Sequence, residues 1–340
     1  MGLDISNILE KRSTSLEELA GKTLAIDAFN TLYQFITTIR QPDGTPLMDS
    51  RGRITSHLTG LFYRSCNLLE KGINPVFVFD GKPNELKRRT LDQRAAAKQE
   101  AKVQMLQAMK EGDVERAGQL AQRTAKLETP QVDQSKELLT YLGIPWVQAA
   151  SEGEAQCAHL AKEGLVDAAA SQDYDTLLFG APLLIRNLTI SGKKKIPRRN
   201  MSIEIKPEEI SLEHNLSTMG ITREKLIWLG ILNGTDFNAG IYGIGPKKAL
   251  KLVQKHDTFE EVLKEIDKEI EWQPVFELFE KPPIVNVEKT ELQQKEPQRD
   301  KIIKMMVEDF EFSQERVENA LKRAYKEPED ASQSQLKKWF

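Results

Sequence analysis

Three apolar runs in this chain lead into aspartate, and that pattern constrains the fold more than any other feature. Leu24-Ala25-Ile26-Asp27 and Val76-Phe77-Val78-Phe79-Asp80 each read as a short buried strand, and a third run leads into Ser171-Gln172-Asp173-Tyr174-Asp175. Helical periodicity separates them, and strands alternating with helices build a parallel sheet covered by helices. Ligands of such sheets gather beyond the carboxyl ends of the strands, where these acids stand. If the third run stays extended through its acids, the two-residue period of a strand points Asp173 and Asp175 the same way. A further pair, Glu152 and Glu154, falls at the start of the helix expected after Pro145-Trp146-Val147.

Each acid taken singly has an ordinary explanation. Ser151-x-x-Glu154 fits a capping box, in which hydroxyl and carboxylate satisfy the first amides of a helix. An Asp just past a strand commonly serves as a turn residue or helix N-cap. Capping accounts for Glu154 and leaves Glu152 unexplained, and it gives no reason for acids to terminate three separate runs. The conjunction points to one carboxylate cluster.

The 340 residues suffice for one large α/β domain with appendages, or for two domains. A formal net charge of −3 with 29% charged residues excludes a uniformly basic coat protein, so any polyanion site has to be a local patch. Cys66 and Cys157 lie in apolar helical contexts without zinc-ligand or disulfide spacing, and read as core residues in a reducing compartment. No signal-peptide pattern opens the chain and no apolar run approaches a bilayer span, so a soluble intracellular protein is expected.

Helices are predicted over 29–39 and 56–71, on either side of a Pro/Gly loop at 41–46. Tyr33, six residues past Asp27, either faces the mouth of the sheet or packs in the core. Residues 83–130 are polar and helical, with Gly112 and Gly118 as weak points; they read as solvated surface, a coiled arm or a mobile element above a ligand. Lys87 and Arg94 are seven apart and share one helical face close to Asp80, which suits a phosphodiester, whereas Arg88, Arg89 and Lys98 read as solvated charge. The α/β order resumes over 131–190, with a helix through 138–142 and a strand over 144–147. Lys193-Lys194-Lys195 with Arg198 and Arg199 reads as a basic hairpin, either touching a nucleic-acid backbone or simply exposed.

Gly240-Ile241-Tyr242-Gly243-Ile244-Gly245-Pro246-Lys247-Lys248 follows a helix and not a strand, which argues against a dinucleotide-binding fingerprint. A glycine turn leading into a helix N-terminus can present backbone amides to phosphate, as helix-hairpin-helix modules do, although a plain helix connection has the same pattern. Residues 281–299 read as an irregular connection and 327 onward as a linker. In Gln333-Ser334-Gln335-Leu336-Lys337-Lys338-Trp339-Phe340, one helical turn puts Leu336, Trp339 and Phe340 on one side as a plug for a partner's pocket.

Ile26-Asp27-Ala28, Val78-Phe79-Asp80-Gly81-Lys82-Pro83, Ser151-Glu152-Gly153-Glu154-Ala155, Ser171-Gln172-Asp173-Tyr174-Asp175, Gly234-Thr235-Asp236-Phe237 and Gly243-Ile244-Gly245-Pro246-Lys247-Lys248 together resemble the flap structure-specific endonucleases of the XPG-type nuclease superfamily. With no basic extension after Phe340, the resemblance is to the archaeal-type form. It covers almost the whole chain; 238–242 and 281–299 depart from the family pattern. The implied fold is α/β and PIN-like, a central, mostly parallel sheet flanked by helices, with a helical arch and a helix-hairpin-helix-type DNA-binding element. The implied division is an N-terminal nuclease region (1–98), the rest of the arch (99–130), and an intermediate nuclease region (131–258) with its DNA-binding element near 226–256. A C-terminal helical region (259–326) and a tail (327–340) follow.

The resemblance implies that Asp27, Asp80, Glu152, Glu154, Asp173, Asp175 and Asp236 hold two Mg²⁺ ions, with Mn²⁺ as a substitute. Asp80, Glu152 and Glu154 would favour one ion, Asp173 and Asp175 both or the other, Asp236 would complete the second, and Asp27 would act through a water. Lys87 and Arg94 match the basic pair that polarises the scissile phosphate, and Tyr33 matches the aromatic that stacks on the base beside the cut. Arg40 and Thr55 fall in the pocket for a one-nucleotide 3′ flap. Arg64, Gly243, Gly245, Lys247 and Lys248 would hold duplex phosphates, with a monovalent cation at the Gly243–Gly245 turn. Gln333, Leu336, Trp339 and Phe340 match the box that binds the sliding clamp. The implied activity is cleavage of branched DNA where a 5′ flap meets duplex, with 5′-3′ exonuclease action, in Okazaki-fragment maturation and base-excision repair. A monomer in the nucleoid of an archaeal-type cytoplasm is expected. The rivals are a junction-resolving or exonucleolytic relative and a non-catalytic clamp-bound DNA adaptor.

Overall fold

The computed structural model describes residues 3–41, 44–189, 192–195 and 202–326. In chain order the strands are β1 (Arg12–Ser13), β2 (Thr23–Asp27), β3 (Asn74–Phe79), β4 (Trp146–Gln148), β5 (Ala168–Ala170), β6 (Leu183–Arg186), β7 (Gly192–Lys195), β8 (Ser202–Ile205) and β9 (Glu208–Ser211). Seven of them form one sheet, in the order β1-β9-β6-β5-β2-β3-β4, while β7 and β8 pair separately as an antiparallel hairpin. The stretch β6-β5-β2-β3-β4 is parallel throughout, and β9 and β1 add an antiparallel edge.

Both faces of this sheet are buried. Along β2, Leu24 and Ile26 pack into one core while Ala25 packs into the other; Phe77 and Phe79 separate from Val76 and Val78 in the same way on β3. The Phe-rich face is covered by α1 (Ala28–Thr38), α2 (Ser56–Glu70) and, further along the chain, α5 (Thr129–Tyr141). Between them α3 (Arg88–Lys110) and α4 (Val114–Arg123) make the arm expected at 83–130. The Val-rich face is covered by α6 (Gly153–Lys162), α7 (Asp175–Leu178), α8 (Leu212–Met219), α9 (Arg223–Asn233), α10 (Pro246–Lys255), α11 (Phe259–Glu265) and α12 (Gln273–Glu280). Two later helices, α13 (Arg299–Ile303) and α14 (Gln314–Ala324), return to the Phe-rich face.

The arm has a core of its own, small because α3 is so polar: Ala101 and Ala108 meet Ala117 and Leu120 of α4. The chain reverses at Gly112 (φ +75°), and Asp113 caps α4 by accepting from the Arg116 amide at 3.0 Å. Gly118, expected as a weak point, instead lies inside α4, and a side chain on Gly44 would sit 2.6 Å from the Gly118 Cα. Cys66 and Cys157 are free and buried. Among the described residues no helix is long and apolar enough to cross a membrane.

Candidate metal centre

The site begins where β2 and β3 run out. Their register pairs Asp27 with Val78, so Asp27 and Asp80 emerge from neighbouring strands toward the same face. Asp27 ends β2 and N-caps α1, accepting from the Asn30 amide at 3.0 Å. Asp80 accepts from the Gly153 amide at 2.7 Å. This contact brings α6 so close that a Cβ on Gly153 would lie 2.5 Å from Asp80 Oδ1, which explains the glycine between the two glutamates.

Two readings from the sequence are corrected here. The Ser151–Glu154 capping box does not form: the N-cap of α6 is Glu152, which makes no side-chain cap bond, while the buried Ser151 hydroxyl has no hydrogen-bond partner. Glu154 Oε1 accepts instead from the Ser171 hydroxyl at 3.4 Å. Nor does a strand carry Asp173 and Asp175. β5 stops at Ala170, Asp173 lies in the following turn with its amide donating to Ser171 Oγ at 3.2 Å, and Asp175 opens α7. A turn and a helix start, not strand periodicity, bring the two acids together.

Burial and mutual repulsion govern this wall. Asp27 and Glu154 are held well above the usual carboxylate range by burial, with Asp80 adding for Asp27 and Asp173 for Glu154. Burial likewise lifts Asp80 to about 6 and Asp175 to about 7, helped by Glu152 and Asp236 respectively. Asp175 Oδ1 is buried with no hydrogen-bond partner. Carboxylates desolvated and crowded in this way favour either protons or an added cation.

The opposite wall supplies cations from the chain itself. Lys87, at the foot of α3, donates to Glu152 Oε2 and lies 3.6 Å from Asp236 Oδ2, while Arg94 Nη2 donates to Asp236 Oδ1 at 2.5 Å. Burial opposes the Lys87 charge, but Glu152, with Glu154 and Asp236 beside it, outweighs burial and raises the ammonium's pKa. Asp236 sits in a turn closed by Thr235 and Asn238, whose side chains bond at 2.8 Å. As the side chains stand, no three acidic groups among the described residues converge tightly enough to cage an ion; Glu152 and Asp236 are engaged by Lys87 and Arg94. The donor set nevertheless fits a divalent metal. It is all oxygen, as hard cations require, and it includes the orphaned Asp175 oxygen.

Beside this wall, Tyr33 is partly exposed and its ring lies under Lys98 Nζ at 5.1 Å from the centroid, so Lys98 is not the purely solvated charge expected. Arg89, also expected to be solvated, lines a cleft of about 770 Å³ with Thr90, Gln93, residues 233–235 and 237–239, and Gly245–Pro246 at the start of α10. Lys247 and Lys248 are exposed next to it, Gly243 turns at φ +79°, and Gly245 N-caps α10. Arg40 is engaged inward, donating to the carbonyls of Ile36 (3.1 Å) and Gly44 (2.8 Å), and Thr55 is buried at the start of α2. Burial lowers the Arg64 pKa. Gln333, Leu336, Trp339 and Phe340 lie outside the described residues, as do Arg198 and Arg199.

Sequence reasoning missed Asn30, whose side chain reaches Asp173, and the support beneath Asp173-Tyr174-Asp175. Arg186 Nε donates to the Gln172 carbonyl at 3.1 Å, and Lys11 Nζ donates to the Tyr174 hydroxyl at 2.7 Å. An Asn three residues after a strand-ending Asp was the visible signal for the first; no local pattern signalled the second, since Lys11 lies 163 residues from Tyr174.

Residues 3–101 match the XPG N-terminal domain and residues 143–236 the XPG I-region. The chain is 49% identical to flap endonuclease 1 of Staphylothermus marinus over the full length of both, and 49% identical to that of Pyrococcus furiosus over all of this chain and 99% of the relative. The solved flap endonuclease-1 from Methanococcus jannaschii superposes with a TM-score of 0.74 at 39% identity, covering 96% of this chain and 98% of that one. The catalytic core of Rad2 in complex with DNA substrate gives 0.67 at 25% identity, over 92% and 96%.

Proposed function

The chain belongs to the XPG nuclease family, and from that membership we infer that it hydrolyses DNA phosphodiester bonds as a structure-specific flap endonuclease of archaeal type, using two Mg²⁺ ions, with Mn²⁺ as a substitute. The single observation that carries the reading is the crowding of mutually repelling acids beyond the carboxyl ends of β2 and β3, with Lys87 and Arg94 paired to two of them. Asp80, Glu152 and Glu154 would hold one ion, Asp173 and Asp175 would serve both or the other, and Asp236 would complete the second, with Asp27 acting through a water. Bound there, the ions supply an activated water and Lewis-acid stabilisation of the leaving oxygen.

The chain's own groups then have distinct tasks. Lys87 and Arg94 are each within ion-pair range of an acid and can exchange that partner for a phosphate oxygen, bringing the backbone of the DNA to the acids. Tyr33 presents a partly exposed ring on which a terminal base can stack. The glycine turn and N-terminus of α10, with Lys247 and Lys248, grip duplex backbone without reading sequence, with a monovalent cation at Gly243–Gly245. Gln333, Leu336, Trp339 and Phe340 dock on the sliding clamp, and the nuclease works as a monomer at the nucleoid in replication and repair. A panel of 5′-flap, nicked, gapped and four-way DNA substrates, in Mg²⁺ or chelator, tests this. Preferential cutting at the flap junction in Mg²⁺ alone is expected; equal or preferential cutting of four-way junctions would favour the junction-resolving relative.

A further inference from the structure

We propose that Asn30 is a positioning residue for the metal centre: its neutral amide sets the orientation of Asp173 against Asp27 without contributing charge, and so raises the site's affinity for divalent cations. Asn30 lies half-buried in the first turn of α1, reached directly from the strand end that carries Asp27. Its backbone amide donates to Asp27 Oδ1 at 3.0 Å, and its side-chain Nδ2 donates to Asp173 Oδ2 at 2.7 Å. One residue thus fastens an acid at the end of β2 to one in the turn after β5, 146 positions apart in the chain by residue number and alike in charge.

The chemistry of the donor is the point. Two adjacent carboxylates turn away from one another unless something holds them. On the other wall of the site the holding group is Lys87 or Arg94, whose charge neutralises the acid it touches and competes with an incoming cation. An amide N–H fixes a carboxylate oxygen at ordinary hydrogen-bond distance and leaves the full negative charge available, with the second oxygen free to turn toward an ion. The other supports of the 171–175 turn follow the same rule, since Arg186 touches the Gln172 carbonyl and the Tyr174 hydroxyl, not the carboxylates. Groups that orient metal ligands from behind typically change affinity about 10- to 100-fold when removed.

This inference rests on the metal-dependent reading of the site, and its test separates the two. Mn²⁺ binding to the DNA-free full chain, followed by electron paramagnetic resonance, is compared for wild type, Asn30→Ala, Asn30→Leu and Asn30→Gln. Mg²⁺ dependence of flap cleavage and thermal midpoint are measured alongside. In Ala and Leu variants the half-saturating Mn²⁺ and Mg²⁺ should rise in parallel by about 10- to 100-fold, with cleavage recovering at saturating Mg²⁺, KM for DNA unchanged and the thermal midpoint close to wild type. Gln, which keeps the amide donor, should fall between Leu and wild type. Wild-type Mn²⁺ affinity in both the Ala and Leu variants would overturn the proposal, as would an activity loss that saturating metal does not relieve. Wild-type protein that binds Mn²⁺ but cuts no flap would overturn the activity reading and leave the Asn30 result standing.

Discussion

The two walls of the site hold their acids by opposite means. On the sheet side, Asp27, Glu154, Asp173 and Asp175 are held by amides, by a hydroxyl or, at Asp175 Oδ1, by nothing, so their repulsion is left in place. On the arch side, Glu152 and Asp236 are held by Lys87 and Arg94, and their charge is largely answered. The sheet wall is therefore built to demand cations from outside, and the arch wall to supply cations that can be exchanged. The difference follows from the supporting elements. Asp27 stands on a strand end packed between two cores and Glu154 and Asp175 stand on the buried helices α6 and α7, while α3 buries only Ala101 and Ala108.

Removing a sheet-wall acid should have the largest effect. Asp175→Ala is expected to abolish cleavage of a double-flap substrate while leaving substrate affinity near wild type, measurable by single-turnover kinetics beside equilibrium binding. Removing an arch-wall cation should slow the reaction without abolishing it. Lys87→Ala should lower the single-turnover rate by about 10²- to 10³-fold, the usual effect of losing one charge-stabilising donor. The same variant should bind Mg²⁺ more tightly than wild type in the absence of DNA, because Glu152 loses its internal partner; calorimetry that finds weaker binding would break the comparison. Tyr33→Ala touches neither set of charges and should lose about 1–3 kcal/mol of substrate stabilisation, with Tyr33→Phe near wild type.

The smallest effect is on stability. Asp80 and Asp175 have folded pKa values raised to about 6 and about 7, so the folded chain binds protons that the unfolded chain has released by then. Their contribution is fully present below about pH 4 and is lost as pH rises through 6 and 7. In chelator, the thermal midpoint should carry this downward trend between pH 5 and 8, and Mg²⁺ should raise it more at pH 8 than at pH 5. A Mg²⁺ effect independent of pH would mean that the metal does not relieve this repulsion.

Much of this was legible in the sequence where the signal is local. The runs ending in Asp27 and Asp80 read as strands because their residues pack on both faces of a parallel sheet, and the all-acid cluster at their ends followed from topology. Asp173 and Asp175 were misread as strand residues because the run before them is alanine, which marks where β5 is buried but not where it stops. Ser151-x-x-Glu154 was ambiguous for a related reason. Gly153 is pulled against Asp80 by a tertiary contact, so the helix starts at a residue that local capping chemistry would not choose. Engagement of the acids by Lys87 and Arg94, and the support from Lys11 and Arg186, depend on chain segments far apart in sequence, and nothing in a local motif encodes them.

The central claim is that the sheet wall holds metal and the arch wall handles phosphate, and the Mg²⁺ dependence of single-turnover flap cleavage tests it most directly. Asp175→Asn should show no cleavage at any Mg²⁺ concentration, while Arg94→Ala should show a reduced maximal rate with half-saturating Mg²⁺ equal to or below that of wild type. Cleavage by Asp175→Asn restored at high Mg²⁺, or an Arg94→Ala half-saturation shifted well above wild type, would contradict the account.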